Sequence, residues 1–342
     1  MVFLLNKSPF EKKISEQPGM MAVKGKEYNM EIVLIGNEKG GVGKTATTFC
    51  LANALKALGY RILMVDFDPS GNLSCDTLPE NPECVLYDVF SGACPLEQAI
   101  YHTEIADILP TIRELDLGVK PEDAYMLGAS DDKSLSRLAE RLIGRPGAEM
   151  ALKSLLRSKK HDLASKYDFI LIDTHSSDNI LVTNAIVAAD SVLITCEPSV
   201  DALDGIWKFI SSMNAANRNY NGANAQVDGI VITKYTERRA PYRRCIQNIQ
   251  ESAKSQGIYL YETRMRDSSN IPDAMENCRP IMDYIGSSGN GTADALNLAL
   301  EFLAARNLEP KVVIPGCRQN AEGHWVYARA VKGDGAADST NR

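Results

Sequence analysis

The segment from Gly36 to Thr45 reads GNEKGGVGKT, a glycine-rich run with two lysines where a phosphate-binding loop ordinarily has one. The strict pattern G-x-x-x-x-G-K-[ST] asks for glycine at position 38, and this chain has Glu38 there with Lys39 next. Lys44 falls where the loop lysine lies along the β and γ phosphates of a nucleotide, and Thr45 falls where a hydroxyl meets Mg²⁺. The backbone N–H groups of Gly40, Gly41, Val42, Gly43, Lys44, Thr45 and Ala46 are expected to cradle the phosphates. Glycine allows close approach there, and the following helix points its positive end at them. Lys39 adds a second cation at the same phosphates.

Two acidic strand ends follow. In Phe169-Ile170-Leu171-Ile172-Asp173 a carboxylate comes after four apolar residues, as in a strand that supplies Mg²⁺, usually through water; that role is assigned to Asp173. In Val65-Asp66-Phe67-Asp68-Pro69 two aspartates stand two residues apart just ahead of a proline, and they are expected to divide the work. Asp66 is expected near the Mg²⁺ shell and Asp68 at the attacking water.

The elements that must hold these groups are readable around them. EIVLIG from Glu31 is short, apolar and rich in β-branched residues, as a strand buried on both faces is. Thr47 to Leu58 carries apolar residues at helical spacing and ends at Gly59, and RILMVDFD is a second buried strand. Strand, loop, helix and strand make a βαβ unit with a right-handed crossover. Further strands are expected at 106–109, 169–173, 191–195, 229–233 and 259–263, with helices around 149–156 and over 294–305. The pattern predicts an α/β fold, a mostly parallel twisted sheet flanked by helices on both faces. Residues 1–29 read as a flexible arm, 30–306 as the nucleotide-binding domain and 307–342 as a weakly ordered tail, with 119–166 the least regular stretch.

At 342 residues the chain is long enough for one large α/β domain with extensions or for two small ones. Its 44% hydrophobic and 24% charged composition excludes disorder throughout. A net charge of -7 argues against a surface that coats nucleic acid as a whole, so any DNA contact has to come from a local basic patch. The eight cysteines, at 50, 75, 84, 94, 196, 245, 278 and 317, include no C-x-x-C pair; they give no zinc or iron-sulfur signal and read as free thiols of a reducing cytosol. MVFLLNKSPF lacks a basic n-region, so a secretory leader is not expected. No run reaches the roughly 18 to 20 apolar residues of a membrane span.

Lys39-Gly40-Gly41-Val42-Gly43-Lys44-Thr45, then Val65-Asp66-Phe67-Asp68-Pro69-Ser70-Gly71-Asn72, then Ile170-Leu171-Ile172-Asp173 resemble the deviant Walker A, A′ and B motifs of ParA-type partition ATPases, the Soj and MinD superfamily of P-loop NTPases. TNAIVAAD (183–190), EPSVDALDGI (197–206) and GIVITKY (229–235) are similar in order and spacing, so the resemblance runs from about Met30 to Arg306. It implies an Mg²⁺-dependent ATPase with ATP as its nucleotide, and catalytic roles for Lys39, Lys44 and Asp68. It further implies an ATP-bound sandwich homodimer in which Lys39 reaches the phosphates of the partner subunit's nucleotide, offsetting charge as an arginine finger does. Hydrolysis would then require dimerisation. The chain departs from the family where Ala46 interrupts a threonine run and where His175-Ser176 replaces a Pro-Pro; neither change touches a metal ligand. The family's Pro-Arg-Asn near the adenine is replaced by Arg266-Asp267-Ser268, and the adenine contacts are assigned to Thr233 and Asp267.

Lys234 to Arg244 reads KYTERRAPYRR, five cations and one anion interleaved with two tyrosines, the strongest local basic patch of an acidic chain. Phosphate contacts from such a patch supply affinity without sequence preference. The resemblance aligns Arg238 with an arginine that binds nucleoid DNA, and Arg239, Arg243 and Arg244 join it as candidates. A second family arginine falls on Asn270, with Arg264 and Arg266 as nearby substitutes. The function implied is a cytoplasmic, nucleoid-associated bacterial partition switch that binds non-specific DNA and is stimulated by a ParB-like centromere-binding protein. The alternative is a MinD-like positioning ATPase for a protein or membrane cargo. The tail shows no basic amphipathic helix for a membrane and no tyrosine cluster of a capsule-type kinase, and Cys84 and Cys94 lack the glycine-rich surroundings of cluster-binding cysteines. Changing Arg238 and Arg239 together to Glu is expected to abolish salt-sensitive binding to random-sequence DNA and to spare ATP binding. Undiminished retention on DNA would contradict the assignment.

Overall fold

The carboxyl ends of parallel strands carry the expected site, so the order of the strands decides what meets there. The computed structural model describes residues 29–78, 82–110, 147–176, 180–236, 240–285 and 289–328. The first half comprises β1 (Glu31–Gly36), α1 (Lys44–Ala57), β2 (Ile62–Phe67), α2 (Asn72–Cys75), α3 (Leu86–Ser91), β3 (Tyr101–His102), β4 (Asp107–Leu109), α4 (Ala151–Leu156) and α5 (Leu163–Lys166). The second comprises β5 (Phe169–Thr174), α6 (Ile180–Ala188), β6 (Ser191–Cys196), α7 (Ala202–Asn219), β7 (Gln226–Tyr235), α8 (Ala240–Ser255), β8 (Leu260–Arg266), α9 (Asn270–Glu276), α10 (Gly291–Ala305), β9 (Cys317–Gln319) and β10 (Trp325–Tyr327).

Eight strands form one sheet in the order β3-β4-β2-β5-β1-β6-β7-β8, parallel throughout except for the β3–β4 pair. This is the mostly parallel α/β sheet expected from the sequence. Alternate residues divide between its faces. Val33, Ile35, Met64, Leu171 and Leu193 pack toward α1, α9 and α10. Ile32, Leu34, Val65, Ile172 and Ile194 pack toward α4, α6, α7 and α8. Each of these fully buried aliphatic side chains contributes about 1.5–3 kcal/mol relative to exposure. Burial on both faces is why the central strands read as unbroken apolar runs.

At the amino ends of the strands, buried Arg306 closes the fold. It pairs with Glu31 of β1 at 2.8 Å and Asp228 of β7 at 3.0 Å, and so ties the end of α10 to two strands. At one sheet edge, the N–H groups of Glu262 and Thr263 in β8 donate to the Glu301 carboxylate of α10 at 2.7 and 2.9 Å. That of Arg266 donates to Asp294 of α10 at 2.9 Å. Carboxylates thus take hydrogen bonds that a further strand would have made.

The structure differs from the sequence reading in three places. Helix α1 begins at Lys44, three residues before the first residue of the apolar pattern, because left-handed Gly43 turns the loop directly into it. The segment read as a weakly ordered tail holds the antiparallel pair β9–β10, and the Asn297 side chain clamps both the N–H and the C=O of Tyr327 at 2.8 and 3.2 Å. Cys84 and Cys94, read as free thiols, are joined as a disulfide around α3, with Cα atoms 6.4 Å apart. Residues 1–28, and 119–146 of the irregular stretch, lie outside the described residues; 147–166 carry α4 and α5.

Gly36 ends β1 directly against the Phe209 ring of α7, and a Cβ there would overlap ring carbons. Gly36→Ala is therefore expected to lower the unfolding free energy by about 1–3 kcal/mol in urea titration. Pairing it with Phe209→Leu should recover part of the loss relative to the sum of the two single changes. A Gly36→Ala midpoint equal to wild type would show that α7 gives way freely.

Candidate functional site

Residues 37–43 connect β1 to α1 at the centre of the sheet. Gly41 and Gly43 have φ of 73° and 80°, the left-handed region where glycine meets no Cβ penalty. As the N-cap of α1, Gly43 has no side chain to satisfy the first N–H groups of the helix, which leaves them for an anion. The loop is held from two strands. Asn37 Nδ2 donates to the Thr195 carbonyl of β6 at 2.7 Å, and its Oδ1 accepts the Lys39 N–H at 2.9 Å. From β7 the Thr233 hydroxyl donates to the Val42 carbonyl at 2.7 Å. Such struts fix the cradle before any ligand arrives.

The acidic residues meet beneath this loop. The register of β2 and β5 sets Asp66 opposite Asp173, and both share the face of Met64 and Leu171, the one that carries α1. Neither is exposed to water. Asp66 Oδ2 accepts from Ser74 N at 2.8 Å and from the Ser74 hydroxyl, and its Oδ1 accepts from Asp68 N at 3.2 Å. The chain turns after Phe67, and Asp68 Oδ1 accepts from Ser70 N at 2.8 Å and Ser70 Oγ at 2.7 Å. Asp173 differs: neither of its oxygens completes a hydrogen bond, although the Thr45 hydroxyl and the Lys44 ammonium favour its charged form.

Burial, opposed by the Ser74 hydrogen bonds and reinforced by Asp68, pushes Asp66 up to about 7. Burial and then the charge of Asp66 push Asp173 well above the carboxylate range. Lys44, itself buried, is lowered by desolvation against the pull of Asp173 and Asp68. The site thus concentrates carboxyl groups whose full ionisation one lysine would not neutralise. Among the described residues no cluster of three His, Cys, Asp or Glu could hold a metal alone. That fits Mg²⁺, which keeps several waters and needs only one or two carboxylates beside phosphate oxygens. Thr45, Asp66 and Asp173 lie close enough together that they could hold it.

The remaining sequence assignments fall unevenly. Lys44 Nζ lies 3.4 Å from the Lys39 carbonyl, yet the Lys39 ammonium turns away to Ser199 Oγ at 2.9 Å and Asp201 Oδ2 at 2.8 Å. Thr233 supports the loop from beneath, while Asp267 is exposed just past β8. Arg243 and Arg244 are exposed on the first turn of α8; Arg238 and Arg239 lie outside the described residues. Arg266, expected as a substitute DNA contact, is spent on Asp294, its Nε 3.0–3.1 Å from both carboxylate oxygens. The sequence reading missed Asn37, Ser70, Ser74, Ser199 and Asp201. For Asn37, Ser70 and Ser74 the available signal was a short amide or hydroxyl within eight residues of a motif lysine or aspartate; for Ser199 and Asp201 it was their place in EPSVDALDGI, just ahead of a helix.

The sign of the pH dependence follows from Asp66. Its folded-state pKa is raised above the unfolded value of about 3.9, so the metal-free protein is most favoured where this carboxyl is neutral. Its unfolding free energy is expected to fall as pH rises from about 4 through about 7. Asp66→Asn should remove part of that fall, with the remainder left to Asp173, and added Mg²⁺ should oppose it in wild type. An unchanged slope in Asp66→Asn would place the titration elsewhere.

The AAA domain family profile matches residues 30–226, more than half of the chain. The chromosome partitioning protein ParA of Caulobacter vibrioides is 27% identical over 257 residues, covering 75% of this chain and 87% of that protein. Cobyrinic acid a,c-diamide synthase of Mycobacterium smegmatis, solved with bound ADP and magnesium, superposes with a TM-score of 0.54 at 25% identity, over 65% of this chain and 81% of that one. The septum site-determining protein MinD of Pyrococcus horikoshii, complexed with Mg-ADP, superposes with a TM-score of 0.56 at 24% identity, over 80% and 95% of the two chains. The chain therefore belongs to the AAA domain family, as a P-loop ATPase similar in sequence to ParA and in fold to MinD.

Proposed function

We propose that the protein is an ATP-dependent DNA partition switch. The observation that carries the ATP half is Asp173, buried beneath the anion cradle beside Thr45 and Lys44 with neither oxygen in a complete hydrogen bond. ADP and magnesium in the synthase structure, and the partition role named for the Caulobacter relative, support the same reading. When bound, Mg²⁺ neutralises charge on the β and γ phosphates. The loop N–H groups of residues 40–46 hold the phosphates, and Lys44 lies along them. Ser70 fixes one oxygen of Asp68, and the other accepts a hydrogen bond from the attacking water and aims it at the γ-phosphorus. Asp267 contacts the base from the end of β8.

Lys39 completes the site from a second chain. Two chains close on ATP, the dimer binds DNA through the basic stretch that includes Arg243 and Arg244, and a ParB-like partner triggers hydrolysis and release. Exposure of both arginines on α8 suits phosphate contacts. The domain from Met30 to Arg306 carries this cycle in the cytoplasm, at the nucleoid. Among the described residues no helix is long and apolar enough to cross a membrane.

ATP hydrolysis measured with random-sequence DNA and a ParB-like protein, separately and together, tests the reading. Greatest turnover with both supports it, whereas stimulation by lipid vesicles alone would point to a MinD-like cargo. Lys39→Ala is expected to lose stimulated hydrolysis and nucleotide-dependent dimerisation, by about 10³-fold in turnover if it acts as an arginine finger does, with monomer nucleotide affinity nearly unchanged. Normal turnover in that variant would contradict the dimeric site.

A further inference from the structure

The disulfide between Cys84 and Cys94 is out of place as a permanent staple in a chain proposed to work in the cytoplasm, where thiol reductants keep cysteines reduced. Its surroundings suit a bond that opens. Cys94 is partly exposed between residues 91–93 and Pro95, all exposed, whereas Cys84 is only 8% exposed, so a reductant reaches the Cys94 sulfur first. The bond closes a short loop, ten residues along the chain, and each foot of that loop is fixed without it. On one side the Cys84 N–H donates to the Tyr101 hydroxyl of β3 at 3.0 Å, and the Leu86 N–H donates to the Pro110 carbonyl just past β4 at 2.7 Å. On the other, Leu96 is buried in the core and Glu97 pairs with His161 at 2.8 Å. What the bond adds therefore falls on α3 between them. That helix has six residues, too few to hold without tertiary support. Its own anchors are the Asp88 carboxylate, which accepts the Val85 N–H at 3.0 Å, and Leu86, buried in one cluster with the Val65 and Phe67 that flank Asp66.

Resting on that cytoplasmic setting, we infer that Cys84 and Cys94 form a reversible thiol–disulfide site whose state sets how firmly α3 is held beside the strand that carries Asp66. A dithiol reductant opens it, and a small-molecule disulfide closes it. In opening, a thiolate of the reductant attacks Cys94 Sγ and the bond between the two cysteines breaks; Cys84 leaves as a thiolate and takes a proton from water. The second thiol of the reductant then displaces Cys94 from the mixed disulfide. Two electrons and two protons have moved, leaving two cysteine thiols in the chain and a disulfide in the reductant. Because both feet of the loop stay fixed, the thiols remain near each other and the reverse exchange re-forms the bond. The site lies close to the nucleotide centre along the sheet. Leu109 of β4 registers with Val65 of β2, so Pro110, which holds the start of α3, is level with Asp66. Loosening α3 thus loosens the packing around Val65 and Phe67 and leaves the sheet itself intact.

The test places the full-length wild type and a Cys84→Ser/Cys94→Ser double variant in glutathione buffers of rising reduced-to-oxidised ratio. Free thiols are blocked, the pair is read by peptide mass mapping, and the amides of residues 85–93 are followed by hydrogen exchange. The wild type is expected to carry the 84–94 link in the oxidised buffer and to lose and regain it reversibly while folded. Its α3 amides should exchange about 10- to 100-fold faster once the bond is open, with the amides of β1 and β5 unchanged. The double variant should exchange at the faster rate in every buffer. A bond that resists reduction until the protein unfolds is a permanent staple and would overturn the proposal, as would absence of the link in the oxidised buffer. Equal exchange of wild-type α3 in both buffers would overturn its role as a clasp, whether or not the double variant folds. ATP hydrolysis with DNA, which reads the partition function, is measured apart from these, so failure of one reading is not mistaken for failure of the other.

Discussion

Two carboxylates lying side by side on neighbouring strands, out of contact with water, are the constraint around which this molecule is arranged. Asp66 and Asp173 share one register position and one face of the sheet. Charged and unaided, such a pair would cost several kcal/mol per ion. Three features offset that cost. Ser74 donates twice to Asp66, Lys44 lies close enough to favour the charge of Asp173, and the raised pKa values let protons neutralise the pair when no cation is present. The same balance makes the pocket receptive, since a divalent cation replaces those protons and brings its own affinity for phosphate oxygens.

That arrangement depends on strand register, and register depends on packing. A one-residue slip of β5 would send Asp173 to the opposite face, among Ile172 and its neighbours, and would lift Leu171 out of its cluster. Burial of both faces forbids the slip. The apolar core and the polar centre are therefore mutually dependent: the former sets the position of each carboxylate to within a residue, and the loop above them is fixed in turn by Asn37 and Thr233 from β6 and β7.

What could be read from the sequence follows the range of the interactions. The strands Glu31–Gly36 and Phe169–Thr174 are legible because burial on both faces leaves a local apolar run. Helix α1 is legible from Thr47 onward but not at Lys44 and Thr45, which carry no apolar side chain for a periodic pattern to register. The glycine loop and the three aspartates stand out because their spacing is itself the signal. Pairings between distant residues leave no such trace. Arg266 reads as an available cation until Asp294, 28 residues later, claims it, and Lys39 reads as unattached until Asp201, 162 residues away, is brought beside it. The β9–β10 hairpin was equally hidden, since what holds it is Asn297, thirty residues before Tyr327.

The carboxylates of α10 that occupy the N–H groups of β8 also bear on how this chain can meet another. A sheet of parallel strands with an open flank is a template for its own copies, and a chain that dimerises and separates as proposed is exposed to that hazard. Here Glu301 and Asp294 take hydrogen bonds at one flank, and among the described residues the other flank offers only the two residues of β3. Sideways growth into fibres is disfavoured at both ends. In the proposed dimer two copies meet at the loop-bearing end of the sheet, where their contact closes on itself and does not propagate.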